Sequence, residues 1–177
     1  MLTNRLAIVA DVPALLPLIN EAYRGDGGWT SEAELLKGPR IDRAELIDVI
    51  SGAPETQVIL AFVDAAAALA ACVRLERISE TEVRLGLLAV DPSKQGTGIG
   101  KIVLKTAEEW AVENWGSQSA VMSAIHTRTE LLAYYERRGY KNSGEMQPFP
   151  YEELKAKGRE KPTSDDFCFA KLRKSLV

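Results

Sequence analysis

The feature that most constrains the fold of this chain is a cluster of glycines between two apolar segments of different periodicity. Residues 81–90 read Thr-Glu-Val-Arg-Leu-Gly-Leu-Leu-Ala-Val and predict a β-strand. Residues 98–114 carry apolar side chains at helical spacing, namely Ile99, Ile102, Val103, Ala107, Trp110 and Ala111. Between them stands Gln95-Gly-Thr-Gly-Ile-Gly100. Because glycine permits tight turns and close approach of a ligand to the backbone, the sequence predicts a strand that turns sharply into a helix.

The N-terminus of such a helix favours an anion, since its first N–H groups are free and the helix dipole is positive there. A phosphate or pyrophosphate is the natural occupant. A Walker A loop is disfavoured because Gly100-Lys101 is followed by Ile102 and not by Ser or Thr. A Rossmann fingerprint is disfavoured because the glycines are spaced GxGxG and three predicted strands precede the strand that leads into them. A glycine-rich helix start without a ligand remains open on this turn alone.

The remaining pattern predicts one mixed sheet with helices on both faces, because strand runs alternate with helical segments. Asp11 is expected to cap the first helix, with Pro13 in its first turn. The length of 177 residues favours a single domain, residues 1–177. Residues 147–165 are expected to form a long loop with one helical turn near Tyr151. The predicted strands are 5–9, 57–63, 67–77, 81–90, 119–125, 140–146 and 166–172, and the later helices are 42–51, 98–114 and 129–138.

Charge and composition exclude several classes of function. The net charge of −3 gives no electrostatic footprint for nucleic acid. No apolar run has the length of a membrane span, and no secretory leader is recognisable, so a cytoplasmic protein without membrane contact is expected. Cys72 and Cys168 match no metal-ligand spacing and are interpreted as buried thiols. No metal is therefore expected.

Two motifs together resemble the GNAT superfamily of N-acetyltransferases. Gln95–Gly100 fits its acetyl-CoA pattern, Q/R-x-x-G-x-G/A, and residues 131–140, Leu-Leu-Ala-Tyr-Tyr-Glu-Arg-Arg-Gly-Tyr, resemble its Y-E-K-x-G-F segment. Two motifs in the right order, about 40 residues apart, are far more specific than either one. The resemblance implies an α/β (α+β) fold: a single domain with a mixed central sheet of about 6–7 strands and about 4 helices on both faces.

The resemblance also implies the co-substrate and the residues that bind it. Acetyl-CoA is the acyl donor. The backbone at Leu88, Ala89 and Val90 is expected at a bulge, where freed N–H groups bond the acetyl carbonyl and the pantetheine arm. Arg128 stands where many relatives carry an Asn that contacts CoA, and an Arg there reaches a phosphate instead. The pyrophosphate is expected on the backbone of Gln95, Gly96, Thr97, Gly98, Ile99, Gly100 and Lys101.

The implied reaction is direct attack of an amine on the thioester. Tyr135 occupies the family's tyrosine position and is expected to be the general acid that protonates the CoA thiolate. In many relatives a Glu on the fourth strand acts as the general base, and this chain has Arg84 at that position. Glu82, two residues earlier on the same face, is the tentative base through water. Glu76, His126 and water itself remain alternatives.

The acceptor is not named by these motifs. The segment from Arg24 to Arg40 lies where relatives line the acceptor cleft, and Tyr23, Arg24 and Trp29 are tentative substrate contacts. Its sub-pattern resembles a group of bacterial members whose substrates are mostly unassigned. A small-molecule amine is expected first, a protein or peptide amine second, and a non-catalytic acyl-CoA-binding module third. Homologous folds are commonly dimers, so a homodimer is compatible with the resemblance.

Overall fold

The computed structural model describes residues 2–157 and 167–177, which form five α-helices and seven strands. The helices are α1 (Val12–Arg24), α2 (Arg43–Ser51), α3 (Ile99–Trp115), α4 (Thr129–Glu136) and α5 (Tyr151–Ala156). The strands are β1 (Thr3–Leu6), β2 (Gln57–Val63), β3 (Leu69–Arg77), β4 (Glu82–Val90), β5 (Ser119–Ile125), β6 (Lys141–Pro148) and β7 (Cys168–Ser175). The segment 158–165 of the predicted long loop lies outside the described residues.

All seven strands belong to one mixed sheet in the order β1-β2-β3-β4-β5-β7-β6. Neighbours from β1 to β4 are antiparallel, β4 and β5 are parallel, and β5, β7 and β6 are again antiparallel. The predicted mixed α/β architecture is therefore confirmed, with one short helix more than expected.

Each face of the sheet is covered by helices. On one face, α1 and α2 pack Leu15, Ile19 and Leu46 against the side chains that β2 to β4 present to that face. On the other face, α3 packs Val103 and Ala107 against the opposite side chains of the same strands, together with aromatic residues of and after α4. Because side chains alternate between the faces of a strand, these central strands carry apolar residues on both faces and so contribute to two cores.

The buried face of α3 is rotated from the predicted stripe. Ile102 is 48% exposed, whereas Leu104 and Glu108 are buried. Glu108 is tolerated there because its carboxylate accepts hydrogen bonds from the Tyr140 hydroxyl at 2.8 Å and from Lys174 Nζ at 2.6 Å. Periodicity alone does not reveal such a pairing, because both partners come from other elements.

The first turn of the chain also differs from the sequence prediction. β1 ends at Leu6, and Ile8 is 57% exposed. The Asp11 carboxylate accepts a hydrogen bond from the Ile8 N–H at 2.8 Å and pairs with Arg5, but it makes no side-chain bond to α1. Asp11 is thus the N-cap residue of α1 as predicted, but its carboxylate closes the preceding turn and does not bond the helix.

The feature that positions the site is a separation of β4 from β5. The two strands pair only from Glu82 to Arg84 on the β4 side. Further along β4, Gly86 pairs with Arg74 of β3 and Ala89 pairs with Cys72. Leu87 and Leu88 therefore lie together opposite a single residue of β3. Leu87 adopts a φ of +47°, a conformation rare outside glycine. This bulge begins one residue before the predicted position at Leu88. It lies in the part of β4 beyond Arg84, which β5 does not pair.

Within residues 2–157 and 167–177, no helix has the length and apolar character needed to cross a bilayer. Cys72 is buried as predicted, whereas Cys168 is only partly buried.

Candidate active site

A cavity of about 780 Å³ lies where β4 leaves β5 and turns into α3. Most residues predicted to bind the cofactor line it, namely Leu88, Val90, Gln95, Gly96, Gly98, Ile99, Gly100, Lys101 and Arg128. Ala89 and Thr97 do not line it. Ala89 is buried against α1, and the Thr97 hydroxyl donates a hydrogen bond to the Lys94 carbonyl at 2.6 Å, which closes the turn.

The glycine-rich turn leaves room for a ligand beside its backbone. Gly96 and Gly98 have φ values of +76° and +86°, in the left-handed region that glycine adopts without strain. A Cβ at either position would meet no protein atom within 4 Å. Gly98 is the N-cap of α3, and no side chain caps that helix end. The uncapped N-terminus is therefore available to an anion.

Tyr134 forms a wall of this cavity that the sequence did not predict. Its ring centroid lies 5.4 Å from that of Trp29, and the Arg138 guanidinium carbon lies 3.3 Å from it. A Cβ at Gly100 would lie 2.7 Å from the Tyr134 hydroxyl, so only glycine allows the tyrosine to approach the start of α3. In the sequence, the basic pair Arg137-Arg138 in the same motif is the signal that indicates an anion site near Tyr134.

The side chain of Gln95 connects the glycine-rich turn to the loop between α1 and α2. Its Oε1 accepts a hydrogen bond from the Trp29 N–H at 2.5 Å, and its Nε2 donates to the Val90 carbonyl at 3.2 Å. Trp29 itself is 51% exposed and lines the same cavity. Trp29 thus borders the cavity that also contains the predicted cofactor turn.

A second cavity of about 210 Å³ shares part of its lining with the first. The backbone of Gly86 and Leu87, at the bulge, lines it. Four residues line both cavities, namely Tyr23, Arg128, Leu131 and Tyr135. Part of the predicted loop, Phe149, Pro150 and Leu154, supplies its outer wall.

Two phenols, the buried Tyr135 and the partly buried Tyr23, line both cavities at their junction. Tyr135 is 9% exposed, and burial, with a further effect from the neighbouring Tyr23 and Tyr134, raises its pKa well above the usual value. Burial raises the pKa of Tyr23 to about 12, although Arg40 opposes this shift. Both hydroxyls are therefore protonated at neutral pH.

Arg128 is held at this junction by two side chains from the loop between α1 and α2. Its Nη1 lies 2.9 Å from Glu32 Oε1, and its Nη2 hydrogen-bonds the Thr30 hydroxyl. Glu32 is 6% exposed and also pairs with Arg24 at 3.3 Å. The sequence did not single out Glu32, because a carboxylate in a polar loop has no periodicity or motif to distinguish it.

The base candidates proposed from the sequence lie elsewhere. Glu82 is at the far end of β4, six residues from Leu88, or about 20 Å along an extended strand. Its carboxylate lies 2.6 Å from Arg173 and accepts a hydrogen bond from Ser119. It lines neither cavity, so the structure does not support Glu82 as the base.

Two of the alternatives, Glu76 and His126, are held by other contacts. Glu76 pairs with Arg84 at 3.1 Å, and His126 Nδ1 lies 3.2 Å from the Cys168 carbonyl oxygen and 3.3 Å from its Sγ. Neither lines a cavity, and in the described part of the chain the one carboxylate that does is Glu32. The described residues contain no group of three His, Cys, Asp or Glu side chains placed to hold a metal ion.

Solved structures with the same fold are numerous. One, described only provisionally as a phosphinothricin N-acetyltransferase, is 18% identical, with a TM-score of 0.73 over 100% of this chain and 99% of that chain. The ribosomal-protein-S18-alanine N-acetyltransferase of Escherichia coli is 17% identical, with a TM-score of 0.70 over 100% and 95%. Spermidine N-acetyltransferase of Vibrio cholerae, in complex with CoA and spermine, is 14% identical, with a TM-score of 0.73 over 99% and 95%. A search of the curated proteins returns no significant match.

At these identities the structural likeness establishes the fold alone, a mixed sheet with helices on both faces. The model of the Acetyltransferase (GNAT) family matches residues 15–140, which is most of the chain and includes both motifs. The chain belongs to this family. Membership confirms the expectation of an acetyl-CoA-dependent N-acetyltransferase.

Proposed function

We propose that this protein transfers the acetyl group of acetyl-CoA to the primary amine of a small molecule. The observation that carries the proposal is the meeting of two cavities at the bulge of β4, with Tyr135 in the wall of both. The larger cavity takes the cofactor and the smaller one takes the acceptor. The amine and the thioester then approach each other from opposite sides of the splayed strand.

The cofactor is held mainly by backbone. The pyrophosphate lies on the turn from Gln95 to Gly100 and on the uncapped N-terminus of α3 at Lys101, where N–H groups and the helix dipole favour negative charge. The N–H groups of Leu88 and Val90, on the part of β4 that β5 does not pair, are the donors for the acetyl carbonyl. Donors fixed in this way stabilise the oxyanion without reorganisation.

Tyr135 donates a hydrogen bond to the departing sulfur. Because burial raises its pKa, the phenol stays protonated but is a weaker acid than an exposed tyrosine. The structure thus favours stabilisation of the thiolate by a hydrogen bond over early proton transfer. Tyr23, the second phenol at the junction, faces the acceptor side of the same space.

The ammonium group of the acceptor loses its proton to water. Glu32 is the carboxylate that lines the second cavity, and its oxygens are engaged by the guanidinium groups of Arg24 and Arg128. Its role in this proposal is to position Arg24 and Arg128. The base role expected for Glu82 has no support from its location.

The size of the second cavity supports a small acceptor. A volume of about 210 Å³ is small even for a ligand pocket. The names of the structural neighbours do not select a substrate, since they include enzymes for a ribosomal protein and for spermidine. The choice of a small molecule rests on the cavity of this chain.

A thiol-release assay tests the proposal. Purified protein is given acetyl-CoA with amino acids, polyamines, aromatic amines or short peptides, and CoA release is compared with a blank without amine. Calorimetry with CoA shows separately whether the cofactor binds. Turnover on at least one small amine, above all peptides, is expected. CoA binding without turnover on any amine contradicts the proposal, and turnover on peptides alone replaces it by protein acetylation.

A further inference from the structure

We infer that the side chain of Gln95, the first residue of the glycine-rich turn, is a positioning group for the acceptor site. It holds the loop between α1 and α2, residues 25–42, against the end of β4. The inference rests on the proposed function, in which the second cavity takes the amine. It divides one motif into two roles: the backbone of the turn binds the cofactor, and its first side chain serves the acceptor.

The amide of Gln95 bridges two elements of the fold. Its Oε1 accepts a hydrogen bond from the Trp29 N–H at 2.5 Å, and its Nε2 donates one to the Val90 carbonyl at 3.2 Å. An N–H only donates and a carbonyl only accepts, so these two partners fix the orientation of the amide. The Val90 carbonyl is available to a side chain because β5 does not pair the part of β4 beyond Arg84. Gln95 thus ties the loop to this part of the strand.

The loop between α1 and α2 depends on such contacts for its position. The structure describes all of residues 25–42 and places neither helix nor strand among them. One backbone bond, from the Glu32 N–H to the Tyr23 carbonyl at 2.8 Å, joins the loop to α1. A segment without a helix or a ladder of backbone bonds opens locally at low cost. Loss of the bond from Gln95 to Trp29 is therefore expected to loosen the loop.

The same loop lines both cavities. Trp29 and Thr30 line the larger one, and Glu32 and Leu36 line the smaller one. The Glu32 carboxylate lies 2.9 Å from Arg128, and the Thr30 hydroxyl bonds the same guanidinium group. Only three residues separate the backbone that Gln95 holds from Glu32, a span of at most about 11 Å. A displacement at Trp29 therefore reaches the lining of the second cavity.

A direct hydrogen bond from Gln95 to the cofactor is the competing role, because Gln95 also lines the larger cavity. Phosphate oxygens accept hydrogen bonds, so only Nε2 can serve them, and one of its two hydrogens already goes to Val90. The two roles predict different kinetics. Loss of a positioning group raises the KM of the amine, whereas loss of a direct contact weakens the binding of CoA.

The first experiment compares Gln95→Met with Gln57→Met as the matched control. Gln57 Oε1 accepts a hydrogen bond from Arg74 at 2.8 Å, and Gln57 lines neither cavity. Gln95→Met is expected to raise the KM of the best amine about fivefold, the usual effect of one lost hydrogen bond, and to change the calorimetric Kd of CoA by less than about twofold. Gln57→Met should behave as wild type in both measurements.

The outcomes separate this inference from the proposed function. An unchanged KM of the amine in Gln95→Met overturns the inference, and so does a loss of CoA affinity as large as the rise in that KM. Both results leave the proposed function standing, because the wild-type protein still acetylates the amine. Failure of every amine with the wild-type protein overturns both.

The second experiment observes the loop without an amine. Lys37 is exposed in the loop and Lys105 is exposed on α3, so trypsin cleavage after each is followed by mass spectrometry. Cleavage after Lys37 should be at least about threefold faster in Gln95→Met than in wild type or Gln57→Met, with cleavage after Lys105 unchanged. Equal acceleration at both sites indicates global destabilisation and overturns the inference. Unchanged cleavage after Lys37 shows that other contacts hold the loop, and it also overturns the inference.

Discussion

The turn from Gln95 to Lys101, in the wall of the larger cavity, presents mainly backbone and glycine, whereas the smaller cavity, around Arg128, is walled by long charged and aromatic side chains. The turn is one continuous segment that leads into a helix. The smaller cavity collects residues from the loop between α1 and α2, the bulge of β4, β5, the start of α4 and the segment after β6. A backbone site constrains sequence locally, because only glycine fits its dihedral angles, while a side-chain site constrains it through distant pairs.

The largest effect is expected where the backbone itself is changed. Gly98→Val adds a branched side chain at a φ of +86°, in the space assigned to the pyrophosphate, and is expected to weaken acetyl-CoA binding by about a hundredfold. Gly116→Val is the control, because Gly116 has a φ of +64° at the other end of α3 and lines neither cavity. Calorimetric titration with CoA gives the affinities, and thermal unfolding gives the shared cost of strain. Equal loss of affinity in both variants would mean that strain, and not the ligand, is responsible.

This contrast explains what the sequence could and could not predict. The glycine turn, the strand before it and Tyr135 could be predicted as site residues because they form motifs on contiguous residues. The contacts of Glu32, Tyr134 and Arg138 could not be predicted, because they depend on partners from other elements, such as Arg128 for Glu32. The base expected at Glu82 has no support from its location, because an alternation of faces carries no information about distance along the strand to the cavities.

A second large effect is expected at the wall that both cavities share. Tyr135→Phe removes the hydroxyl that stabilises the leaving thiolate, and kcat should fall at least about tenfold with CoA affinity nearly unchanged. Tyr140→Phe is the control, since that buried hydroxyl bonds Glu108 in the core and lines neither cavity. Steady-state kinetics on the best amine measures both. Full activity of Tyr135→Phe would remove the phenol from the mechanism.

A smaller effect distinguishes Glu82, which the sequence predicts as the general base, from Glu32, the carboxylate that lines the second cavity. Glu32→Gln should raise the KM of the amine about fivefold, because it loosens Arg24 and Arg128, and should leave the shape of the kcat pH profile unchanged. Glu82→Gln breaks only the contacts to Arg173 and Ser119 and should leave turnover as in wild type. A pH profile that loses its acidic limb in Glu32→Gln would make Glu32 the base. The same loss in Glu82→Gln would restore the sequence prediction.

The smallest effect is one on stability. It tests whether water reaches the tyrosine hydroxyls in the wall that the two cavities share. Burial raises the pKa of Tyr135, and that of Tyr23 to about 12, above the value of about 10 expected in the unfolded chain. Above pH 10 the unfolded state therefore releases protons that the folded state retains, so the free energy of unfolding falls as pH rises. Urea unfolding at about pH 9, 10 and 11 should show a fall that is shallower in Tyr135→Phe by up to about 1.4 kcal/mol per pH unit. Identical slopes in wild type and variant would mean that water reaches the Tyr135 hydroxyl in the folded protein, and the junction of the cavities would then be open.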